Sequence, residues 1–161
     1  MHSSVRLTLV VLLLAAFAAC SKEPEPSRQI AAPVKHQHIA PHSGTPVVLG
    51  AEIYHLELVL DAPAGRLSAY VMDGELENFI RVTASSFEVV ATVNGEKRPL
   101  AFRAVANPAT GESVGDTAQF EAEAGWLKNT PTFDAVLASL TIKGTAFAAV
   151  AFNFPKGNDK D

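Results

Sequence analysis

The stretch IYHLELVLDAPAGRLSAYVMD, residues 53–73, alternates its side chains with a period of two on both sides of a turn. Successive side chains of a β-strand point to opposite faces of a sheet, so this period predicts two strands. One face of the first strand is apolar or aromatic and consists of Tyr54, Leu56, Leu58 and Leu60. The opposite face carries His55 and Glu57 between Ile53 and Val59. Because DAPAG supplies a turn, the stretch predicts a β-hairpin.

The chain repeats this pattern in further segments. SFEVVATV and RPLAFRAV flank Asn94-Gly95, a strong hairpin signal, and AVLASLTI and TAFAAVAFNF flank Lys143-Gly144. AQFEAEA is one more alternating segment. Seven or eight short strands separated by turns predict an all-β domain. We expect an antiparallel β-sandwich of the immunoglobulin-like kind over residues 46–157.

Two segments do not fit the alternating pattern. VANPATGESVGDT, residues 105–117, is rich in turn formers and predicts a long loop, which is either solvated or binds a cation. GWLKNTPTFDAVL, residues 125–137, could include a short helix. The helical alternative depends on apolar side chains that recur at helical spacing, namely Phe133, Val136, Leu137 and Leu140.

The N-terminal residues have the composition of a targeting segment. MHSSVRLTLVVLLLAAFAAC places one basic residue, Arg6, before an apolar run that ends at Phe17. The run is too short for a membrane span, and small residues precede a candidate cleavage point, so residues 1–19 predict a signal peptide. Cys20 stands where the lipobox of bacterial lipoproteins has its cysteine, and the segment resembles that motif. Phe17 departs from the lipobox, which usually has Leu, Val or Ile there.

The lipobox resemblance implies a lipidated Cys20 and a protein anchored in the cell envelope, facing the periplasm. Ser21 after the cysteine implies the outer membrane. The alternative is an ordinary signal peptide with a chance cysteine. Residues 20–45 are rich in proline and predict a flexible tether, and residues 158–161 predict a disordered tail. Because Cys20 is the only cysteine, the mature chain would have no disulfide and no cysteine nucleophile.

Composition and motifs exclude several classes of function. The net charge of −4 offers no electrostatic footprint for nucleic acid. The sequence contains no Gly-x-Ser-x-Gly, no His-Glu-x-x-His and no phosphate-binding glycine loop. We therefore expect a non-catalytic protein.

The histidines are the residues most suggestive of a binding function. The segment KHQHIAPHSG contains three of the five histidines, and His55 follows on the first long strand. Neutral imidazole and carboxylate groups bind zinc and copper(II). His55 and Glu57 share a strand face and His42 could fold back over them, so these three side chains predict a composite zinc or copper site. His36 and His38 would form a weaker collecting arm on the tether.

A broader resemblance covers roughly residues 40–157. APHSGTPVVLGAEIYHLELVLDAPAGRLSAYVMDGELENFI, ANPATGESVGDTAQF and FNFPKG resemble a family of uncharacterised bacterial lipoproteins. In that family a His-Gly-Gly segment precedes a Tyr-His-hydrophobic-Glu strand and a Tyr-Val-hydrophobic-Asp strand. The first third also resembles domains appended to periplasmic adaptors of heavy-metal efflux pumps.

The family resemblance implies a metal-related role, with His42, His55, Glu57 and Asp73 as the site residues. This chain has Ser43 where the family has its first glycine, and Gly74-Glu75 where a histidine often follows. Two interpretations stay open. The first is an anchored protein that binds a divalent or copper ion, in connection with metal homeostasis or a metal-efflux adaptor. The second is a structural or protein-interaction module that contacts another envelope protein, with incidental histidines.

Overall fold

The computed structural model describes residues 39–159. The predicted signal peptide, Cys20, His36 and His38 lie outside the described residues. Eight strands follow one another along the chain, and a 3₁₀ helix at Gly125–Asn129 lies between the sixth and the seventh. The strands are β1 (Thr45–Leu49), β2 (Tyr54–Asp61), β3 (Arg66–Asp73), β4 (Ser86–Val93), β5 (Glu96–Ala104), β6 (Gln119–Glu123), β7 (Phe133–Ile142) and β8 (Thr145–Phe154).

All eight strands belong to one antiparallel sheet with the order β1-β2-β3-β6-β5-β4-β7-β8. The prediction of an all-β, antiparallel domain of seven or eight strands is confirmed. The two-sheet, immunoglobulin-like arrangement is not confirmed, because hydrogen bonds connect the eight strands into a single sheet. That sheet is nearly closed into a barrel, with β1 and β8 next to each other.

Side chains of the C-terminal segment and β1 complete the closure. The side-chain amide of Asn158 accepts a hydrogen bond from the Val48 backbone N–H at 2.7 Å and donates one to the Val48 carbonyl at 3.1 Å. The Thr45 hydroxyl donates to the Pro155 carbonyl at 3.2 Å. Asn158, which the sequence assigned to the tail, therefore satisfies backbone groups of an edge strand.

The interior of the barrel is filled by the apolar faces that the sequence predicted. Leu56 and Leu58 of β2 are buried, and Tyr54 and Leu60 pack against the same core. Stacked phenylalanines extend this core, with 4.8 Å between the ring centroids of Phe87 and Phe102. Burial of these aliphatic and aromatic side chains supplies the main driving force for folding.

The predicted hairpin turns at Asn94-Gly95 and Lys143-Gly144 are confirmed. Asn94 and Gly95 have φ values of 52° and 82°, and Lys143 and Gly144 have φ values of 48° and 86°. Two consecutive residues with positive φ are what a two-residue hairpin loop with the twist of the flanking strands requires. Glycine adopts this conformation without steric cost, which explains its place in both turns.

The two segments that do not fit the alternating pattern differ in how well the sequence predicts them. Residues 105–117 form a loop of turns with isolated bridges, as predicted. The helical spacing after Phe133 is misleading, because β7 begins at Phe133 and its burial alternates with a period of two up to Leu137 and again from Leu140. The helical part is limited to Gly125–Asn129, ahead of the spacing that suggested it.

A second, smaller apolar cluster lies outside the barrel wall. It consists of Ala40, Met72 and Leu76, with Tyr70 packed against it. Met72 pairs with His55 across the β2–β3 ladder, so this cluster covers the outer face of β2. Within residues 39–159, no helix has the length and apolar character that a transmembrane span needs.

Candidate functional site

Residues 39–44, here called the strap, precede β1 and fold back over the outer face of β2. The strap turns sharply at Ser43, whose N–H donates to the Ala40 carbonyl at 2.9 Å. Ser43 has a φ of 56°, a conformation that favours glycine.

Gly44 follows in a crowded position. A Cβ added there would lie 2.7 Å from the Leu58 carbonyl oxygen and 2.8 Å from Cγ of Glu57. No side chain fits between the strap and β2 at that point. The strap therefore approaches β2 as closely as backbone geometry allows.

The Glu57 side chain, which is 0% exposed, holds the strap in place. Its Oε1 atom accepts hydrogen bonds from the backbone N–H of His42 at 2.7 Å and of Gly44 at 2.9 Å. Its Oε2 atom lies 2.8 Å from Nδ1 of His42. A buried carboxylate is costly unless hydrogen bonds replace its hydration, and three donors do so here.

The imidazole of His42 is fixed by contacts on its edge and on its face. Because a carboxylate only accepts hydrogen bonds, Nδ1 carries the proton donated to Glu57, and Nε2 is the ring nitrogen left for a ligand. The ring stacks on Tyr70 with 4.1 Å between centroids and an interplanar angle of 17°. The His42 side chain is 37% exposed, so solvent reaches part of it.

Tyr70 lies opposite Glu57 in the β2–β3 register. Burial raises the pKa of the Tyr70 hydroxyl, and the charges of Glu121 and Glu57 raise it further. Phe79 completes the aromatic group, with its ring centroid 5.8 Å from that of His42 and 6.0 Å from that of Tyr70. The sequence reasoning missed both rings. The alternation of β3 could have placed Tyr70, but Phe79 lies in a segment without a pattern.

His55 and Glu57 share the outer face of β2, but the two side chains have different partners. His55 is buried, and its Nδ1 atom lies 3.2 Å from the Asp73 carbonyl oxygen. Glu57 is engaged by the strap, as described above. Of the predicted ligands, the hydrogen bonds thus bring together His42 and Glu57.

The Asp73 carboxylate is used in a turn. It accepts hydrogen bonds from the Glu77 and Asn78 backbone N–H groups and from the Asn78 side chain at 2.6 Å. Desolvation raises the pKa of Asp73, but these hydrogen bonds outweigh it and hold the pKa below the ordinary range. Within residues 39–159, no three His, Cys, Asp or Glu side chains are grouped so that they could hold a metal ion.

A cleft of about 520 Å³ opens beside this aromatic group. His42, Tyr70 and Phe79 line one side, and residues of the 105–119 region line the other. Arg81 ties this region together by donating to Asp116 at 3.2 Å and to the Thr110 carbonyl. The loop that could have bound a cation is thus held by a guanidinium group.

Comparison of the chain with protein-family models, with curated proteins and with solved structures gives no match in any of the three. Any function for this chain is therefore inferred from the residues and contacts described above.

Proposed function

We propose that this chain is a non-catalytic lipoprotein of the cell envelope, anchored through a lipid on Cys20 and facing the periplasm, in the outer membrane. The proposal is supported by residues 1–20, which combine an apolar run with small residues before the only cysteine. Metabolic labelling with a fatty acid tests it, since the wild-type chain should be labelled and Cys20→Ser should not. Equal labelling of the two chains, or none in either, would remove this part of the proposal.

The barrel of this protein is proposed to bind a zinc or copper ion through Nε2 of His42. One observation carries this part: buried Glu57 lies 2.8 Å from Nδ1 of His42, which leaves Nε2 as the ring nitrogen for an ion, on a side chain that is 37% exposed. A carboxylate behind a metal-ligating histidine fixes the tautomer and orientation of the ring. Glu57 then acts through His42 and does not itself contact the ion.

The remaining ligands are proposed to come from the chain before the strap. His38 and His36 precede His42 by four and six residues. Four residues of extended chain span at most about 14 Å, so His38 is close enough along the chain to share an ion with His42. Two or three imidazoles form a common donor set for zinc or copper(II). The proposed metal ligands are therefore His42, His38 and His36, and His55 is not among them.

Calorimetric titration of zinc and copper into the full chain tests the metal site. His42→Ala and the double variant His36→Ala/His38→Ala should each weaken binding by about tenfold or more. Glu57→Gln should weaken it by roughly 10- to 100-fold while all the imidazoles remain. Wild-type affinity in His42→Ala, when circular dichroism shows an unchanged fold, would overturn the assignment. Val114→Ala, at an exposed position that the proposal does not use, is the control and should bind metal like the wild type.

A second candidate function is a module that binds another envelope protein. Four outward apolar side chains stand side by side across β5, β4, β7 and β8, namely Pro99, Val90, Val136 and Ala151. Val136 is 39% exposed at the middle of this row. Contiguous apolar side chains on a sheet surface favour a protein partner.

Crosslinking in the envelope separates this second function from the first. A photo-crosslinking residue at Val136 should give one discrete adduct, and the same residue at exposed Val114, outside the row, should not. The adduct should persist in His42→Ala. Adducts of equal number and yield from both positions would argue against a specific partner.

A further inference from the structure

One aromatic side chain that lines the cleft beside His42, Phe79, is half-exposed. His42 and Tyr70 are stacked on each other at 4.1 Å, so each ring covers one face of the other. Phe79 is tilted against both rings and is 50% exposed at the mouth of the cleft. A large, half-exposed aromatic side chain beside a concave surface is a typical contact for a ligand with an apolar face.

The charged groups of the cleft are neutralised within the protein. Arg81 is engaged by Asp116 and by the carbonyls of Thr110 and Gly111. Glu112 accepts hydrogen bonds from Thr110 and Thr117 and from the Ala118 N–H. Neither group is free to pair with a charged ligand without breaking these contacts. A neutral ligand therefore fits the cleft best.

Three carboxamides line the cleft, and each uses one end internally. Nδ2 of Asn78 donates to Asp73, Oδ1 of Asn107 accepts from Ala109, and Nε2 of Gln119 donates to Glu121. Among the described residues, no hydrogen bond engages the other end of these carboxamides. Each of these cleft-lining residues thus keeps one end of its carboxamide for a ligand, the oxygen in Asn78 and Gln119 as an acceptor and the nitrogen in Asn107 as a donor.

We propose that this cleft binds a neutral pyranose sugar. The C–H face of the ring lies on Phe79, and its hydroxyls exchange hydrogen bonds with Asn78, Asn107 and Gln119. A hydroxyl both donates and accepts, so it matches a mixed set of carboxamide ends. A flat nucleobase fits less well, because it gains most when two aromatic rings enclose it, and here His42 and Tyr70 are stacked on each other. The volume of about 520 Å³ is typical of small-molecule sites.

The test is an NMR titration of ¹⁵N-labelled full chain, kept unlipidated by Cys20→Ser. The probes are methyl β-glucopyranoside, methyl N-acetyl-β-glucosaminide and, as a planar comparison, adenosine. At least one pyranoside should shift the Phe79 backbone signal and the Gln119 side-chain signal saturably, with a Kd below roughly 10 mM. Phe79→Ala should weaken this binding by about tenfold, while Val114→Ala, outside the cleft, should leave it unchanged.

The absence of saturable shifts with either pyranoside would overturn the proposal, as would tighter binding of adenosine. Equal affinity of Phe79→Ala and Val114→Ala would overturn it as well. Dispersed spectra of both variants establish that each is folded. The two proposals have separate measurements, because sugar binding is followed without added metal and metal binding without sugar. Failure of one proposal therefore leaves the other standing.

Discussion

The side-chain amide of Asn158 forms two hydrogen bonds with the backbone of Val48, one through its oxygen and one through its nitrogen. The amide thus imitates the neighbouring strand that β1 lacks on this side. Asn158→Ala removes both hydrogen bonds, and we expect the free energy of unfolding to fall by about 1–2 kcal/mol. Urea denaturation followed by circular dichroism measures this change.

Asn129 provides a matched control for Asn158, because it is exposed and makes no side-chain hydrogen bond with the described residues. Asn129→Ala should change stability by less than about 0.5 kcal/mol. If the two variants are equally stable, the contact between β1 and the C-terminal segment does not depend on Asn158.

Glu57→Gln keeps the shape of the side chain but replaces one acceptor with a donor. The new amide nitrogen faces either the N–H groups of the strap or Nδ1 of His42, so the strap loses a hydrogen bond or His42 changes its tautomer. We expect a destabilisation of about 2–3 kcal/mol and faster hydrogen exchange at the His42 and Gly44 amides. Glu88→Gln, on the exposed face of β4, is the control and should leave both measurements unchanged. Unaltered exchange at Gly44 in Glu57→Gln would contradict the role of Glu57.

Gly44→Ala tests the close approach of the strap to β2. The added methyl group would lie 2.7 Å from a backbone oxygen, so the strap must move away from Glu57. We expect a loss of about 2 kcal/mol or more in thermal or chemical denaturation. Gly125→Ala is the matched control, because a Cβ at Gly125 meets nothing within 4 Å. Equal effects at the two glycines would show that the strap is loosely held.

Ser43→Gly is expected to stabilise the protein. Ser43 has a φ of 56°, which costs a residue with a side chain roughly 1 kcal/mol relative to glycine. Part of that gain is offset by the greater freedom of glycine in the unfolded chain, so a net increase of about 0.5 kcal/mol is expected. Ser43→Ala removes the hydroxyl but keeps the Cβ, and it should give no increase. A gain in both variants would point to the hydroxyl instead of the backbone.

Stability should fall in acid because of Glu112. Desolvation raises the pKa of Glu112, but hydrogen bonds from Thr110, the Ala118 N–H and Thr117, with the charge of Arg81, hold it below its usual value of 4.5. A carboxyl with a lowered folded pKa contributes stability that is present above pH 4.5 and lost as the pH falls through the folded value. Urea midpoints at about pH 7 and about pH 3 measure this loss.

Glu112→Gln should reduce the difference in stability between these two pH values, because the variant has no proton to gain at position 112. Glu88→Gln, at an exposed position on β4, should retain the full difference. An unchanged difference in Glu112→Gln would assign the acid sensitivity to other carboxyls.

Local patterns allowed the all-β class and several strands and turns to be predicted, but not their closure into a barrel. The faces of β2 follow from alternation, and the turns at Asn94 and Lys143 follow from the glycine after each. The helical spacing after Phe133 failed, because Val136 faces outward while Phe133, Leu137 and Leu140 are buried, and pairing with β4 and β8 decided for a strand. The single sheet could not be predicted, since the pairing of β3 with β6 joins residues about fifty positions apart.

The candidate site was predicted in part for a similar reason. His42 and Glu57 were correctly placed together, because a short strap before a strand can reach the face of the next one. The hydrogen-bond partners of the Glu57 and Asp73 carboxylates were not predictable from the sequence. Glu57 is satisfied by backbone N–H groups of the strap, and Asp73 by the turn that follows it. Such contacts depend on loop conformations that have no sequence period.

The strap also determines how the barrel responds to mechanical load. Two N–H groups and one imidazole meet the single carboxylate of Glu57 just before β1 begins. A pull on the N-terminal side of the chain therefore reaches these three hydrogen bonds ahead of the β1–β2 ladder, and they share the force. Because Glu57 lies in the middle of β2, the force passes into a strand paired on both sides and does not peel the edge strand away. The strap thus protects the edge strand β1 from force applied on its N-terminal side.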